Sequence, residues 1–499
     1  MRSFRQYFLW LFLLPLSLHA LTFEQQIDSV MSEAIAAGVI PGGVVCAVSS
    51  DSMLFLHAYG NRCVWPDTLP MTDDAVFDLA SLSKPVGTAM SVFNLVADGS
   101  IGLNDPVFRY LPAFADSTCT VMHLLTHTSG LPAYMNIARL RAAGVPETPE
   151  AFIDTICRTK RLAPAGTAYR YSCLNYITLQ AVLQTVTGKT LADYAADNVF
   201  RPLRMSSTAY RPFSLPADSA LRLSSPSSSR LSSPTSSPSA SIPAASLPAS
   251  SRPADSLLVP TEICLLPTHA TSDAVIPAAS DAVIPAVSDA VTPATHIYDS
   301  LLLCGMVHDP LARIMMHGNS GNAGVFSTAR DLASLARFLL TYKDAPLIRT
   351  MTTLPDSLAF ACRTPGWDKK SPEGSWCGTL MSPYTYCHTG YTGTSMAVDP
   401  FNDFAVILLT NRVHPRDPAT LRSTKSPKSS KSSRSPKSPK SPTSTTSTNS
   451  PKSPTSTNSP KSPNSPKSSK SSNSTSAPAP TIKSTRAAIA DILFRHFRP

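Results

Sequence analysis

The amino-acid sequence predicts a mixed α/β domain of the α+β kind, with one antiparallel sheet and helices packed against it. Three observations carry this. A strand–turn–strand pattern near the start, "GGVVCAVSSDSMLFLHAYGNR" (42–62), is matched near the end by "TSMAVDPFNDFAVILLTNR" (394–412). Each places two apolar runs around a turn cluster, so the sheet draws strands from both ends of the chain. Between them the apolar spacing is helical around 85–98, 121–125, 174–187 and 329–341, and helices between two halves of a sheet define this class.

In chain order, residues 1–20 read as a secretory signal peptide: Arg2 and Arg5 precede an apolar run from Tyr7 to Leu18, and His19-Ala20 is a candidate cleavage end. The alternative is an uncleaved anchor. No Cys follows the run at once, so no lipoprotein signal is read, and nothing later in the sequence is long and apolar enough to span a bilayer. Residues 22–38 predict an amphipathic helix, with Phe23, Ile27, Val30, Met31 and Ile35 at helical spacing and Gly38 closing it.

Three stretches cannot build a core: Ser/Pro/Ala-rich 214–258, an octad repeated three times in 267–296, and Ser-Pro-Lys-rich 414–483. They are poor in aromatics and rich in Pro, and are expected to be disordered insertions in surface loops. The last is followed by "STRAAIADILFRHF" (484–497), a good helix with Ala488, Ile489, Ile492 and Leu493 on one face, so the basic stretch is a loop rather than a free tail. Setting these stretches and the leader aside leaves 21–213, 259–266, 297–413 and 484–499, together 334 residues, the size of one enzyme domain.

Charge and cysteines narrow the class. The net charge of +10 is misleading, because residues 421–483 hold 10 Lys, 2 Arg and no acidic residue; the rest of the chain is slightly acidic. Anionic cell-surface polymers suit the basic stretch; nucleic acid fits poorly, since no aromatics are interleaved to stack on bases. A solvated spacer is the plainer reading. The ten Cys show no paired C-x-x-C, which argues against a zinc site or redox motif. No metal and no organic cofactor is expected, and membrane contact only if the leader is retained.

The chemistry begins with "DLASLSKPVG" (78–87). Ser81 stands three residues before Lys84, and on a helix that spacing puts both side chains on one face. A lysine whose amine is neutralised by burial or by nearby cations can take the serine proton. Of 16 Lys, only Lys84 has a Ser three residues before it. The long apolar helix expected just after Ser81 would bring backbone N–H groups and a positive dipole end, features that suit an oxyanion site.

Six blocks then occur in order: "FDLASLSK", "HLLTHTSGLP", "YSCLNYITLQAVLQTVTGKTL", "GMVHDPLA", "GNAGVFSTARDLASLARFLL" and "HTGYTGTSMAVDP". Over the 334-residue core the chain resembles the serine β-lactamase-related family, in its branch of class C β-lactamases, low-molecular-weight penicillin-binding proteins and esterases. The resemblance implies the β-lactamase/transpeptidase-like fold, an antiparallel sheet flanked by helices plus an all-helical region. It implies catalytic roles for Ser81 as acylated nucleophile, Lys84 as its partner and Tyr171 as proton relay. It implies that His388-Thr389-Gly390 forms the third motif beside the cleft, and that the backbone N–H groups of Ser81 and Tyr391 form the oxyanion hole.

Two departures bear on activity. The family's Tyr-x-Asn reads Tyr171-Ser172-Cys173, so a thiol, a weak donor, replaces an amide. His388 replaces lysine, and a neutral His offers little to a substrate carboxylate. Both fit an esterase, peptidase or amidase better than an efficient β-lactamase. Cys173 reads more simply as a small buried side chain than as a second nucleophile. His123 and His127 read as structural, as does the His308-Asp309 loop. No Gly-x-Ser-x-Gly elbow is present, which sets aside the α/β-hydrolase reading.

The function expected is an exported, periplasmic or secreted serine hydrolase acting through a Ser81 acyl-enzyme on a small-molecule ester or amide, or on a cell-wall peptide as a D-Ala-D-Ala carboxypeptidase or muropeptide amidase. The rival reading is a surface-binding protein of the same fold with weak or no turnover.

Overall fold

The computed structural model describes residues 21–65, 67–210, 222–223, 259, 261, 263–267, 298–371, 375–416 and 479–498. The expected leader, the octads apart from Pro267, and nearly all of the other two low-complexity stretches lie outside the described residues. The exceptions include Arg222–Leu223, which forms a short strand paired antiparallel with Tyr298–Leu302; Ile263–Pro267 pairs on the other side. The expectation of an insertion without regular structure over 214–258 is therefore corrected at these two residues. Pairing of this kind uses only backbone groups and needs no branched or aromatic side chain.

Helix α1 (Phe23–Ala36) starts at a capping box, with Thr22 and Gln25 each bonding the other's backbone N–H. The first hairpin follows as β1 (Gly42–Val48) and β2 (Met53–Cys63), with β3 (Leu69–Pro70) at its edge. The late strands are β4 (Asp368–Lys369), β5 (Tyr386–Thr389), β6 (Ser395–Asp399) and β7 (Phe404–Thr410). The seven form one antiparallel sheet in the order β4-β5-β6-β7-β1-β2-β3, so β1 and β7, from opposite ends of the chain, are central neighbours with Cys46 opposite Ile407.

Both faces of the sheet are covered, which is why its central strands read as unbroken apolar runs. On one face Val45, Ala47, Phe404, Val406 and Leu408 meet α1 and the C-terminal helix α5 (Ile482–Phe497), whose Ile489 and Leu493 are fully buried. This helix begins two residues before the expected span, at a Thr481–Ser484 capping box. His496 stacks on Phe23 with ring centroids 3.7 Å apart, tying the last helix to the first.

On the other face Val44, Cys46, Val48, Ala405, Ile407 and Leu409 join the main core. That core also takes α2 (Met90–Ala97), α3 (Cys173–Thr187) and α4 (Ala329–Thr341). Residues 173–183 of α3 are almost entirely buried, and the helix ends at Gly188 with φ +66°. The helix expected over 85–98 differs in its first turns: Lys84–Ala89 is a wider π-type turn, and only Met90–Ala97 is α-helical. Single π turns of this kind are frequent at functional sites. Among the described residues no helix is long and apolar enough to cross a membrane.

Candidate active site

The site is built where the segment after strand Phe77–Asp78 enters the 3-10 turn Ala80–Leu82. Asp78 is fully buried, and burial raises its carboxyl above the usual range. It accepts the Ala80 amide (2.8 Å) and the His308 amide (2.7 Å). These bonds hold Ala80 at φ +48°, a left-handed backbone that costs a non-glycine residue on the order of 1–3 kcal/mol. Ser83 Oγ accepts the Val325 amide at 3.0 Å, and the Leu79 amide donates to Val325 O at 2.9 Å. Ser81 thus sits on a strained turn clamped on both sides. It lies in the first, 3-10 turn of a helical run that continues through the π-type turn to Ala97.

The Ser81–Lys84 spacing does bring the two groups together: Lys84 Nζ donates to Ser81 Oγ at 3.0 Å. Lys84 is completely buried. Its other bonds go to Asn322 O at 2.8 Å and to the Cys173 thiol at 3.6 Å. Burial disfavours the Lys84 ammonium, while the ionised forms of Cys173 and Tyr171 and the Asp309 carboxylate act the other way, and the direction of the balance is upward. The bond to Ser81 Oγ places Lys84 as the partner of that hydroxyl. Burial raises the Cys173 thiol, with Lys84 acting against it, so Cys173 is a neutral thiol rather than a nucleophile.

Tyr171 is fixed by the "HTSG" loop. His127 Nδ1 accepts the Ser172 amide at 3.1 Å, Ser172 Oγ donates to Pro132 O at 2.6 Å, and Ser129 Oγ donates to Asn175 Oδ1 at 2.5 Å. Gly130, at φ +75°, has no room for a Cβ because Ala163 O occupies that space. The His127 ring lies 4.4 Å from that of Tyr171, and Lys84 Nζ lies 5.1 Å from the Tyr171 ring centroid. His127 is therefore structural in its bonds and adjacent to the chemistry. His123 caps Val121–Leu125, as its structural reading requires.

The third motif closes the site from β5. Thr392 Oγ1 donates to Asp78 O (2.8 Å) and Thr394 Oγ1 to Leu79 O (3.0 Å), which brings the 390–394 turn, Tyr391 included, beside the Ser81 turn. Gly390 is required there, because a Cβ would overlap Leu79 O and Thr394 Oγ1. Tyr391 is half exposed; its ring faces that of His308 at 5.6 Å and the Arg412 guanidinium at 5.1 Å. His388 is buried, and burial first, then Arg363 and Lys84, lower it well below the usual histidine range, so it is neutral. Its ring centroid is 6.2 Å from that of Tyr171. His388 Nδ1 donates to Thr389 O at 2.9 Å, closing the motif on itself.

Ser81, Lys84, Tyr171, Cys173 and the His388-Thr389-Gly390-Tyr391 segment thus converge. Among the described residues no cluster of His, Cys, Asp or Glu has the arrangement of a metal site. Sequence reasoning missed two participants. Asn322 supplies a carbonyl to Lys84 and an amide to Asp309 (3.3 Å); backbone carbonyls carry no sequence signal. Arg363 packs its guanidinium 5.1 Å from the Tyr171 centroid. The only cue was the turn signal Thr364-Pro365-Gly366 between Arg363 and Asp368.

A serine bonded to a buried lysine, flanked by a tyrosine and closed by a His-Thr-Gly strand beside an antiparallel sheet, defines a class of serine hydrolases. The chain belongs to the β-lactamase family, whose profile matches residues 27–425. A protein of Escherichia coli K12, provisionally named a D-alanyl-D-alanine carboxypeptidase, is 26% identical over 414 residues, covering 78% of this chain and 82% of its own. One of the same name from Salmonella typhimurium LT2 is 25% identical over 383 residues, covering 72% and 74%. In fold, the chain is similar to EstCE1, a hydrolase with promiscuous acyltransferase activity, with TM-score 0.52, 20% identity and coverage of 80% of this chain and 97% of that one. It is also similar to the simvastatin synthase LovD of Aspergillus terreus, a LovD6 mutant, with TM-score 0.51, 15% identity and coverage of 82% and 96%. The protein is a β-lactamase-family serine hydrolase.

Proposed function

We propose that the protein is an exported acyl hydrolase in which Ser81 attacks the carbonyl of a D-alanyl-type peptide. The observation that carries this is the 3.0 Å bond from the wholly buried Lys84 to Ser81 Oγ. In the proposed course Tyr171, acting as its phenolate, takes the Ser81 proton as the Ser81 Oγ–carbonyl bond forms. The oxyanion is held by the backbone N–H groups of Ser81 and Tyr391. Tyr171 then gives its proton to the leaving amine as the acyl–nitrogen bond breaks. Water attacks the Ser81 ester and loses a proton to the Tyr171 phenolate; as the acyl–Oγ bond breaks, Tyr171 returns that proton to Ser81 Oγ, and the acid is released. Lys84 stays cationic and stabilises each anionic stage.

The substrate class rests on the carboxypeptidase names of the bacterial relatives. Neutral His388 favours a second reading, an uncharged ester, because it offers no fixed charge to a substrate carboxylate. Export rests on the charged and apolar residues of 1–20. Binding of anionic cell-surface polymer by 421–483 rests on the charge of that stretch alone.

The test is intact mass after incubation with a penicillin, with Ser81→Ala as control, alongside release of D-Ala from a synthetic pentapeptide. An adduct on the wild type alone, with D-Ala release, is expected. An adduct only with a fluorophosphonate or ester probe would select the esterase reading. No adduct with any acylating probe would overturn acyl transfer and leave the binding-protein reading.

A further inference from the structure

Arg363 has no role in the scheme above, yet it is one of the most constrained side chains near the site. It is 4% exposed and lies in the tight turn Arg363–Asp368. Gly366 in that turn, at φ +110°, abuts Ala89 of the nucleophile's own segment, and its amide donates to Leu125 O. Trp367 is fully buried against Tyr386 of β5, with ring centroids 5.4 Å apart. The turn is thus held by the two elements that deliver Ser81 and His388.

Arg363 Nη2 pairs with Asp368 at 2.7 Å and Nε donates to the Tyr169 hydroxyl at 2.9 Å. Nη1 is buried without a hydrogen-bond partner among the described residues. The guanidinium carbon is 5.1 Å from the Tyr171 ring centroid, the same distance as Lys84 Nζ. Tyr171 is therefore surrounded by four basic side chains, of which His127 and His388 are neutral and Lys84 and Arg363 are charged. The motif position that holds lysine in the resemblance carries no charge here.

We infer that Arg363 is a positioning residue: packed beside the Tyr171 ring, it supplies, with Lys84, a second positive charge that stabilises negative charge on the Tyr171 oxygen during acylation. The inference rests on the proposed acyl transfer through Ser81 and Tyr171. It predicts a charge requirement, not a shape requirement, at position 363.

The experiment compares full-length wild type, Arg363→Ala, Arg363→Lys and Arg363→Met. Single-turnover labelling of Ser81 by a fluorophosphonate and steady-state hydrolysis of a p-nitrophenyl ester are measured with and without added guanidinium or urea at equal, tens-of-millimolar concentration. The alanine variant is expected to lose about ten- to a hundredfold in labelling rate and kcat, the size of a nearby unit charge in partly screened protein, with KM little changed. Guanidinium is expected to restore much of the rate and urea, of the same shape without charge, none. Should the alanine variant not fold, the Lys variant must keep most of the rate and the Met variant lose it.

Equal rescue by urea, equal rates for the Lys and Met variants, or a wild-type rate for Arg363→Ala would overturn the inference. If wild type does not label at Ser81, it is the proposed function that fails.

Discussion

Gly390→Ala tests whether β5 and the Ser81 turn form one unit. The added methyl would overlap two oxygens, the Leu79 carbonyl and the Thr394 hydroxyl. The hydroxyl can rotate away, but only by giving up its 3.0 Å bond to Leu79 O, which leaves a buried donor unpaired at about 1–3 kcal/mol. The carbonyl belongs to the residue before Ala80 and cannot yield without moving Ser81; overpacking of this kind costs about 1–3 kcal/mol. The variant should lose about 2–6 kcal/mol of stability, the sum of the two costs, read as a lower urea midpoint at constant m. A shift of Ser81 approaching 1 Å should also slow fluorophosphonate labelling by about a hundredfold. The control is Gly99→Ala, where φ is +78° and nothing lies near the added Cβ; it should cost about 1–2 kcal/mol and leave labelling intact. A Gly390→Ala protein with wild-type stability and labelling would refute the coupling of β5 to the nucleophile turn.

Three further outcomes are expected. Stability should fall as pH drops from about 6.5 to about 4, because burial lowers His414 to about 4 in the fold while the unfolded chain protonates at the ordinary 6.5. Protonation would break the Val64 amide bond to His414 Nε2, and the loss should approach about 3 kcal/mol, complete below about pH 4 and absent above about 6.5; denaturation across that window checks it, and a flat profile would count against it. Native alkylation by iodoacetamide near neutral pH should reach exposed Cys362 first, because burial pushes Cys46 and Cys119 up to about 12, and contact with Cys377 plus burial raises Cys387 well above its usual range. Peptide mass mapping that finds Cys46 or Cys387 labelled as fast as Cys362 would mean the sheet opens readily. Leu493→Ala should cost about 2–5 kcal/mol in thermal or urea unfolding, since Leu493 is fully buried between α5 and the sheet; a loss below 1 kcal/mol would show that α5 docks weakly.

Much of this was legible in the residues. The hairpins at 42–62 and 394–412 announced β1, β2, β6 and β7 because turn clusters separate their apolar runs, and the C-terminal helix was legible from one apolar face. Ser81 and Lys84 were legible because a one-turn spacing predicts contact whether the turn is 3-10, α or π. What failed was local in a different way. The π-type turn at Lys84–Ala89 has the same composition as an α-helix. Arg363 gains its place only when a turn far along the chain folds against Ala89 and Leu125.

The pairing of β1 with β7 has a consequence for synthesis. Ser50 and Asp403, at the ends of these strands, bond across 353 positions. On the ribosome, the Val44–Val48 strand emerges long before the neighbour that closes its inner edge, and its outer face waits longer still for Ile489 and Leu493. During that interval the chain presents an apolar strand with an open edge, the configuration most prone to wrong pairing. Folding by this route is non-local and slow, so the protein depends on whatever shields that strand until its last helix arrives.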